Sequence, residues 1–235
     1  AGYEPALLDL AGPWLGAGRT EVVVCGMAGS RQGWAEAPYA AVPCAPQKGG
    51  FARPVTKDPR LDVHLIPGLK QAKPADVMRG EETQIAGFLA QNPNFDGVIC
   101  LPGTHTKWVQ ISAGEVVGFM TAMTGELFSA LSGHTVLRHS VSQSGDDPAA
   151  FADAVEEGLA RPEALARRLF GLRAEALLDG LDPVAARSRL SGLLIGAELA
   201  AARGWWLGQS VTILAAPALA QLYVDALAGQ GVHPQ

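Results

Sequence analysis

Twice in this chain a short, β-branched apolar run empties directly into a glycine-bearing turn. Val22-Val23-Val24-Cys25 leads into Gly26-Met27-Ala28-Gly29-Ser30, and Gly97-Val98-Ile99-Cys100-Leu101 leads into Pro102-Gly103-Thr104-His105-Thr106. A continuous apolar run of this length reads as a strand buried on both faces, which requires helices packed on its sheet. The rest of the chain supplies them. Apolar spacing predicts helices over residues 6–15, 79–90, 124–137 with Thr124 as N-cap, 147–158, 162–170, 173–178, 183–203 and 217–228. Short strands are predicted over 22–25, over 63–66 (ending at Pro67-Gly68), and over 97–101, 107–112 and 115–119 as an antiparallel meander. A last strand is predicted over 211–214. In the second strand of the meander, alternation sets Lys107, Val109 and Ile111 on one face and Trp108 and Gln110 on the other. Strands in both halves with helices between them give an α/β fold, and loops at strand ends are where such folds place their sites. The stretch from Pro38 to Pro59 is rich in proline and reads as an irregular excursion. A lobe boundary is expected near residues 71–76.

Hydrophobic residues are 48% of the 235 residues, enough for a sizeable core. The net charge of −5, with no basic stripe, argues against a nucleic-acid partner. The longest apolar runs, 193–202 and 211–220, are too short to span a bilayer, and Glu198 interrupts the first. With no signal sequence evident, the chain reads as cytoplasmic. Three cysteines without paired spacing fit neither a disulfide framework nor a zinc site, and no other metal-ligand set stands out. Cys25 and Cys100 end apolar runs and read as small buried hydrophobes.

Four segments hold residue types suited to chemistry. In the first, residues 25–34, two glycines bring backbone N–H groups near a ligand, and Ser30, Arg31 and Gln32 add donors for hydroxyls or a carboxylate. The plain alternative is a tight turn with Arg31 in solvent. The second is Val77-Met78-Arg79-Gly80-Glu81-Glu82-Thr83-Gln84. Two carboxylates at a helix start can simply complement its dipole. One of them can instead be a general base for a sugar hydroxyl, with Arg79 as an anion clamp. In the third, residues 101–108, Gly103, Thr104, Thr106 and Lys107 can hold phosphate oxygens. The spacing is not that of a Walker A loop. A Cys100–His105 nucleophile pair lacks an orienting third group, so His105 reads as a turn residue. In the fourth, residues 190–198, Gly192 and Gly196 lie four apart, a spacing that lets a helix pack closely on a neighbour.

Taken in order, VVVCGMAGSRQGWAEAPY, DVMRGEETQIAG, GVICLPGTHTKWVQI, MTGELFSAL and RLSGLLIGAELAAAR resemble the 2-dehydro-3-deoxygalactonokinase family across nearly the whole chain. That family belongs to the sugar kinase, heat-shock protein and actin superfamily. The resemblance implies two ribonuclease H-like α/β lobes around a nucleotide cleft, with 1–75 the remainder of the sugar-binding lobe and 76–235 the nucleotide lobe. It implies ATP and Mg2+, and a small sugar-acid substrate phosphorylated to its 6-phosphate. It places Met27, Gly29, Ser30, Arg31, Gln32 and Arg79 at the sugar acid. Glu81 or Glu82 becomes the base, with Glu81 favoured because it directly follows Gly80. Gly103, Thr104, His105, Thr106, Lys107 and Ala215 fall on the nucleotide side, Ala215 standing where the family tends to have Gly. The superfamily's opening Asp-x-Gly-[Thr/Ser] hairpin, which organises Mg2+, has no counterpart before Tyr3, and the family continues beyond Gln235. The first lobe and the C-terminal end are therefore expected to be incomplete in this sequence. A related 2-keto-3-deoxy sugar acid as substrate, a non-catalytic actin-like nucleotide binder and a cysteine hydrolase are the competing readings. A homodimer is the working expectation for oligomeric state.

Overall fold

The computed structural model describes residues 2–235 and is an α/β protein. It divides into two compact units, Ala1–Asp96 with Ile111–Phe119, and Gly97–Gln110 with Met120–Gln235. This division falls later than the expected boundary near 71–76, so the Arg79-Gly80-Glu81 segment groups with the first unit. Among the described residues, no helix is long and apolar enough to cross a membrane.

In the first unit, helix α1 (Tyr3–Ala11) passes into a 3-10 turn containing Pro13. Strands β1 (Thr20–Val24) and β3 (Leu61–Leu65) pair in parallel, Thr20 opposite Leu61 through Val24 opposite Leu65. Val22 and Val24 join Leu61, Val63 and Leu65 in a core that takes in Leu7 and Leu8 of α1. Glu21 and Val23 alternate with these residues and are exposed. β3 ends before Pro67-Gly68 as expected, but a further strand that the sequence reading did not expect begins there. The chain re-enters pairing there as β4 (Gly68–Gln71), parallel to β2 (Tyr39–Ala41) and antiparallel to β5 (Asp76–Met78). Glycine is needed at that point, because a Cβ on Gly68 would lie 2.5 Å from the Met78 carbonyl oxygen. Helix α2 (Glu81–Gln91) follows. The tip of a later hairpin also belongs to this unit, Cys44 bridging Val116 and Gln71 Oε1 accepting the Phe119 N–H at 3.0 Å.

A four-stranded sheet of β6 (Gly97–Leu101), β7 (Thr106–Ser112), β8 (Glu115–Ala122) and β9 (Val211–Ile213), ordered β8-β7-β6-β9, belongs to the second unit except for the Ile111–Phe119 hairpin tip. Adjacent, consecutive strands joined by short turns give the predicted meander. The predicted alternation along β7 does not separate an inner from an outer face: residues 106–109 are all buried. Six helices accompany this sheet: α3 (Thr124–His134), α4 (Pro148–Ala160), α5 (Leu165–Leu178), α6 (Pro183–Ala201), α7 (Arg203–Trp206) and α8 (Pro217–Ala228). Helix α5 joins the segments predicted as 162–170 and 173–178 because Leu172, between them, is fully buried in the helical core. Trp108, Phe151, Leu199, Trp206 and Tyr223 build the core under the sheet. Cys100 is buried in it as expected, whereas Cys25 is exposed, because β1 ends at Val24 and the chain turns away.

The small residues of α6 act in packing. A Cβ on Gly196 would lie 2.3 Å from the Val155 carbonyl oxygen, and one on Gly192 would lie 2.5 Å from that of Phe151. A Cβ on Gly158 of α4 would in turn lie 2.5 Å from the Leu193 carbonyl oxygen. The obstructing atoms are backbone and cannot turn aside, so the helices would have to separate. Gly196→Ala is expected to cost about 3 kcal/mol in denaturant unfolding. Gly133→Ala, where a Cβ meets nothing within 4 Å, should be neutral or stabilising by up to about 1 kcal/mol.

Candidate active site

Segments far apart in sequence meet in the first unit. Residues Gly26–Gly29 form a 3-10 turn after β1. The chain then folds back on itself, with the Trp34 N–H donating to the Ala28 carbonyl at 2.7 Å and the Ala37 N–H to the Gly29 carbonyl at 2.9 Å. Ser30 is buried, while Met27, Arg31 and Gln32 are exposed. Against this loop lies the start of α2. Gly80 has φ +114°, a conformation that favours glycine, and a Cβ there would be 3.4 Å from the Gly26 Cα.

The adjacent glutamates occupy different environments. Glu82 is fully buried, and its Oε2 accepts the Gly80 N–H at 2.6 Å while Oε1 accepts the Thr83 hydroxyl at 3.1 Å. Burial raises its pKa, against the lowering effect of those hydrogen bonds. Its oxygens are spent on the helix's own first turn. Glu81 is half-buried, with only Oε2 engaged, by the Arg79 N–H at 3.0 Å. Glu81 thus has acceptor capacity to spare for an incoming hydroxyl.

Arg79 is held in place by protein. Its guanidinium lies over the Tyr39 ring at 4.2 Å, and Nη2 donates to the Ala37 carbonyl at 2.8 Å. Nη1 is shielded from solvent without a hydrogen-bond partner, and a Cβ on Gly29 would come within 2.9 Å of it. Arg31, by contrast, is exposed on the same loop.

In the second unit, Gly103 follows β6 and abuts the start of α3. A Cβ on Gly125 would lie 2.2 Å from the Gly103 carbonyl oxygen, and the Glu126 N–H donates to the Thr104 carbonyl at 2.8 Å. The predicted cap at Thr124 is overturned: the N-cap position is Met123, and the Thr124 hydroxyl donates to Glu198 instead. Thr104 and His105 are exposed, and His105 Nε2 lies 2.5 Å from Glu126 Oε2. Lys107 is buried and donates to the Thr121 hydroxyl at 2.7 Å, while Thr106 shares a hydrogen bond of 2.9 Å with the Tyr223 hydroxyl. Burial also pushes the Cys100 thiol well above its ordinary range, which removes it as a thiolate nucleophile.

A cavity of about 700 Å3 opens beside this loop. Gly103 and Gly125 line it, with Phe128 and Asp146 on other walls and Leu194 and Leu222 giving it an apolar surface. Gly103 is the one predicted nucleotide residue among those lining it.

A sequence profile described as 2-keto-3-deoxy-galactonokinase matches residues 1–235. The chain belongs to this family. A 2-dehydro-3-deoxygalactonokinase of Escherichia coli (strain K12) is 37% identical over 216 residues, which are 91% of this chain and 72% of that protein. A protein of Rhizobium meliloti (strain 1021) assigned the same activity is 40% identical over 218 residues, 90% of this chain and 71% of its own. A crystal structure of a Sinorhizobium meliloti protein assigned as 2-dehydro-3-deoxygalactonokinase superposes with a TM-score of 0.90. It is 37% identical, and the match covers 99% of this chain and 77% of that one.

In this member of the galactonokinase family, sequence reasoning missed most of the cavity wall. Phe128 and Leu194 sit inside MTGELFSAL and RLSGLLIGAELAAAR, segments that carried the family resemblance without an assigned role. Asp146 and Leu222 carried no signal at all.

Proposed function

We propose that this chain is an ATP-dependent kinase that phosphorylates 2-dehydro-3-deoxy-D-galactonate on its 6-hydroxyl, and that it works in the cytoplasm. The observation that carries the reading is the division between two neighbouring glutamates, one used up by its own helix and one left with a free oxygen beside the Gly26–Ser30 loop. In this reading the first unit serves as the sugar-binding lobe and the second as the nucleotide-binding lobe of a ribonuclease H-like pair. Glu81 accepts the proton of the attacking hydroxyl. Arg31 pairs with the substrate carboxylate, and Arg79 holds the Gly26–Ser30 loop against α2. Met27, Ser30 and Gln32 complete the sugar side, with Gly29 allowing the close approach of Arg79.

The second unit's cavity suits a nucleotide, since its apolar walls can take a base and its Gly103–Gly125 end offers backbone without side chains in the way. Thr104 and the backbone of the 102–106 turn would meet phosphate oxygens, with Lys107 adding positive charge from behind, and Ala215 would lie toward the adenosine. Asp146, Asp147, Glu156 and Asp225 line this cavity, and among the described residues no three of their ligand atoms lie within 4.8 Å of one another. A Mg2+ ion would accompany the nucleotide's phosphates, with carboxylates such as Asp146 within the cavity wall. What the ion supplies when bound is charge neutralisation on the phosphates.

The test is ADP release with ATP, Mg2+ and 2-dehydro-3-deoxygalactonate, run beside the gluconate-derived epimer. The expected result is ADP formation that depends on the galacto compound. ATP binding without sugar-acid-dependent ADP would overturn the reading in favour of a non-catalytic nucleotide binder. ADP with the epimer alone would move the assignment to another sugar acid.

A further inference from the structure

Away from the candidate active site, Glu21, Asp62 and His64 bring one ligand atom each to a single point, all within 4.8 Å of one another. The arrangement follows from strand geometry. Glu21 and Asp62 are direct partners in the parallel register of β1 and β3. His64 is two residues beyond Asp62 and so shares its face. Because Glu21 comes from β1 and the Asp62–His64 pair from β3, no spacing in the sequence announces the three together.

His64 supplies a second observation. It is only 7% exposed, with the Phe51 ring packed perpendicular to its own at 5.4 Å between centroids. Its Nε2 lies 3.4 Å from Asp62 Oδ1, close enough for an ion pair. Yet that buried nitrogen has no hydrogen bond. A buried imidazole nitrogen left unsatisfied is costly, and such groups call for an explanation. Here it belongs to a ring that shares a 4.8 Å cluster of ligand atoms with two carboxylates.

We infer that Glu21, Asp62 and His64 form a binding site for a divalent transition-metal ion of the zinc class, fastening β1 to β3. One imidazole nitrogen and two carboxylate oxygens suit Zn2+, with water completing the coordination. The charged groups that compete are Arg19, whose Nη2 lies 2.9 Å from Asp62 Oδ1, and Arg53, which also acts on Asp62. The Arg19 side chain is 66% exposed, so its ion pair is weak and it can swing away when the metal arrives. The ion exchanges a surface ion pair and an unsatisfied nitrogen for three coordinate bonds.

The test uses the chain stripped with a chelator, titrated with zinc chloride alone in a non-coordinating buffer. The expected result is one Zn2+ per chain at micromolar affinity and a rise of about 5 °C in the thermal midpoint at a hundredfold excess over Kd. Co2+ in its place should give visible absorption bands that His64→Gln abolishes. Should His64→Gln fail to fold, Glu21→Gln keeps the question open to decision, because Glu21 is exposed and its loss leaves the core intact. It should weaken Zn2+ at least tenfold. Binding only at millimolar Zn2+, or binding unchanged in both variants, would overturn the site. None of these readouts depends on kinase activity, so the two proposals fail separately.

Discussion

Glu81→Gln is expected to lower turnover by about a thousandfold, while the KM values for sugar acid and ATP change by less than about threefold. The carboxamide is nearly the same size, so the loop and the substrate stay in place, but it cannot take up the hydroxyl proton. The neighbouring variant provides the contrast. Glu82→Gln should keep turnover within about threefold. Its cost appears in stability, about 1–3 kcal/mol, because an amide must replace an acceptor that serves both the Gly80 N–H and the Thr83 hydroxyl. Steady-state kinetics of the two variants with denaturant unfolding alongside separates the roles. An inactive Glu82→Gln beside an active Glu81→Gln would reverse the assignment of the base.

That contrast marks where the sequence stopped being legible. Glu81 and Glu82 are identical and adjacent, and only the turn of α2 carries one inward and leaves the other half-exposed. Local signals read well. Pro148 after Asp147 announced α4, and Asp147 Oδ1 does accept the Ala150 N–H at 3.0 Å as a capping side chain should. The limits of α8 were legible from Pro217 and from the apolar spacing that follows. Non-local pairing did not read. β4 was missed because one of its partners, β2, is a three-residue strand within a proline-rich stretch, and β5, its other partner, is itself only three residues long. Thr124 looked like a cap because a helix begins there, and its hydroxyl was instead claimed by a residue far along the chain. Within β6 and β7, burial on both faces hides the alternation that would have assigned sides, although it made the strands themselves easy to find.

The residue that claimed Thr124 appeared in the sequence only as an interruption of an apolar run. Glu198 is 5% exposed on α6 and accepts three hydrogen bonds. Its donors are the Trp108 indole N–H at 2.8 Å, the Tyr223 hydroxyl at 2.9 Å and the Thr124 hydroxyl. It thus ties β7, α3 and α8 to one buried point behind the cavity that Thr124 and Tyr223 line. Glu198→Ala is expected to lose about 4 kcal/mol, since it opens a void and leaves the Trp108 donor with no acceptor. Against a total stability of about 5–15 kcal/mol, that should sharply reduce soluble protein. Glu198→Gln should cost only about 1 kcal/mol. Its amide oxygen can still accept from Trp108, and the two hydroxyls can turn to accept from its NH2 group.

The pair also yields a pH signature. Burial raises the Glu198 pKa above its unfolded value, so the folded state holds this proton over a wider range than the unfolded chain. The stability that this contributes is fully present at acid pH and is lost as pH rises from about 4.3, the unfolded value, through the raised folded value. Measured as a difference from Glu198→Gln, which has no such proton and cancels the other groups, wild-type stability should fall across that window and level off above it. Nucleotide affinity should follow stability of the loop support, with Glu198→Gln near wild type and any folded Glu198→Ala weakened, because Thr124 fixes the turn on which Gly125 meets Gly103. An alanine variant as stable as wild type would mean that this carboxylate does not organise the cavity wall, and a flat difference curve across the acid range would mean that burial does not raise its pKa.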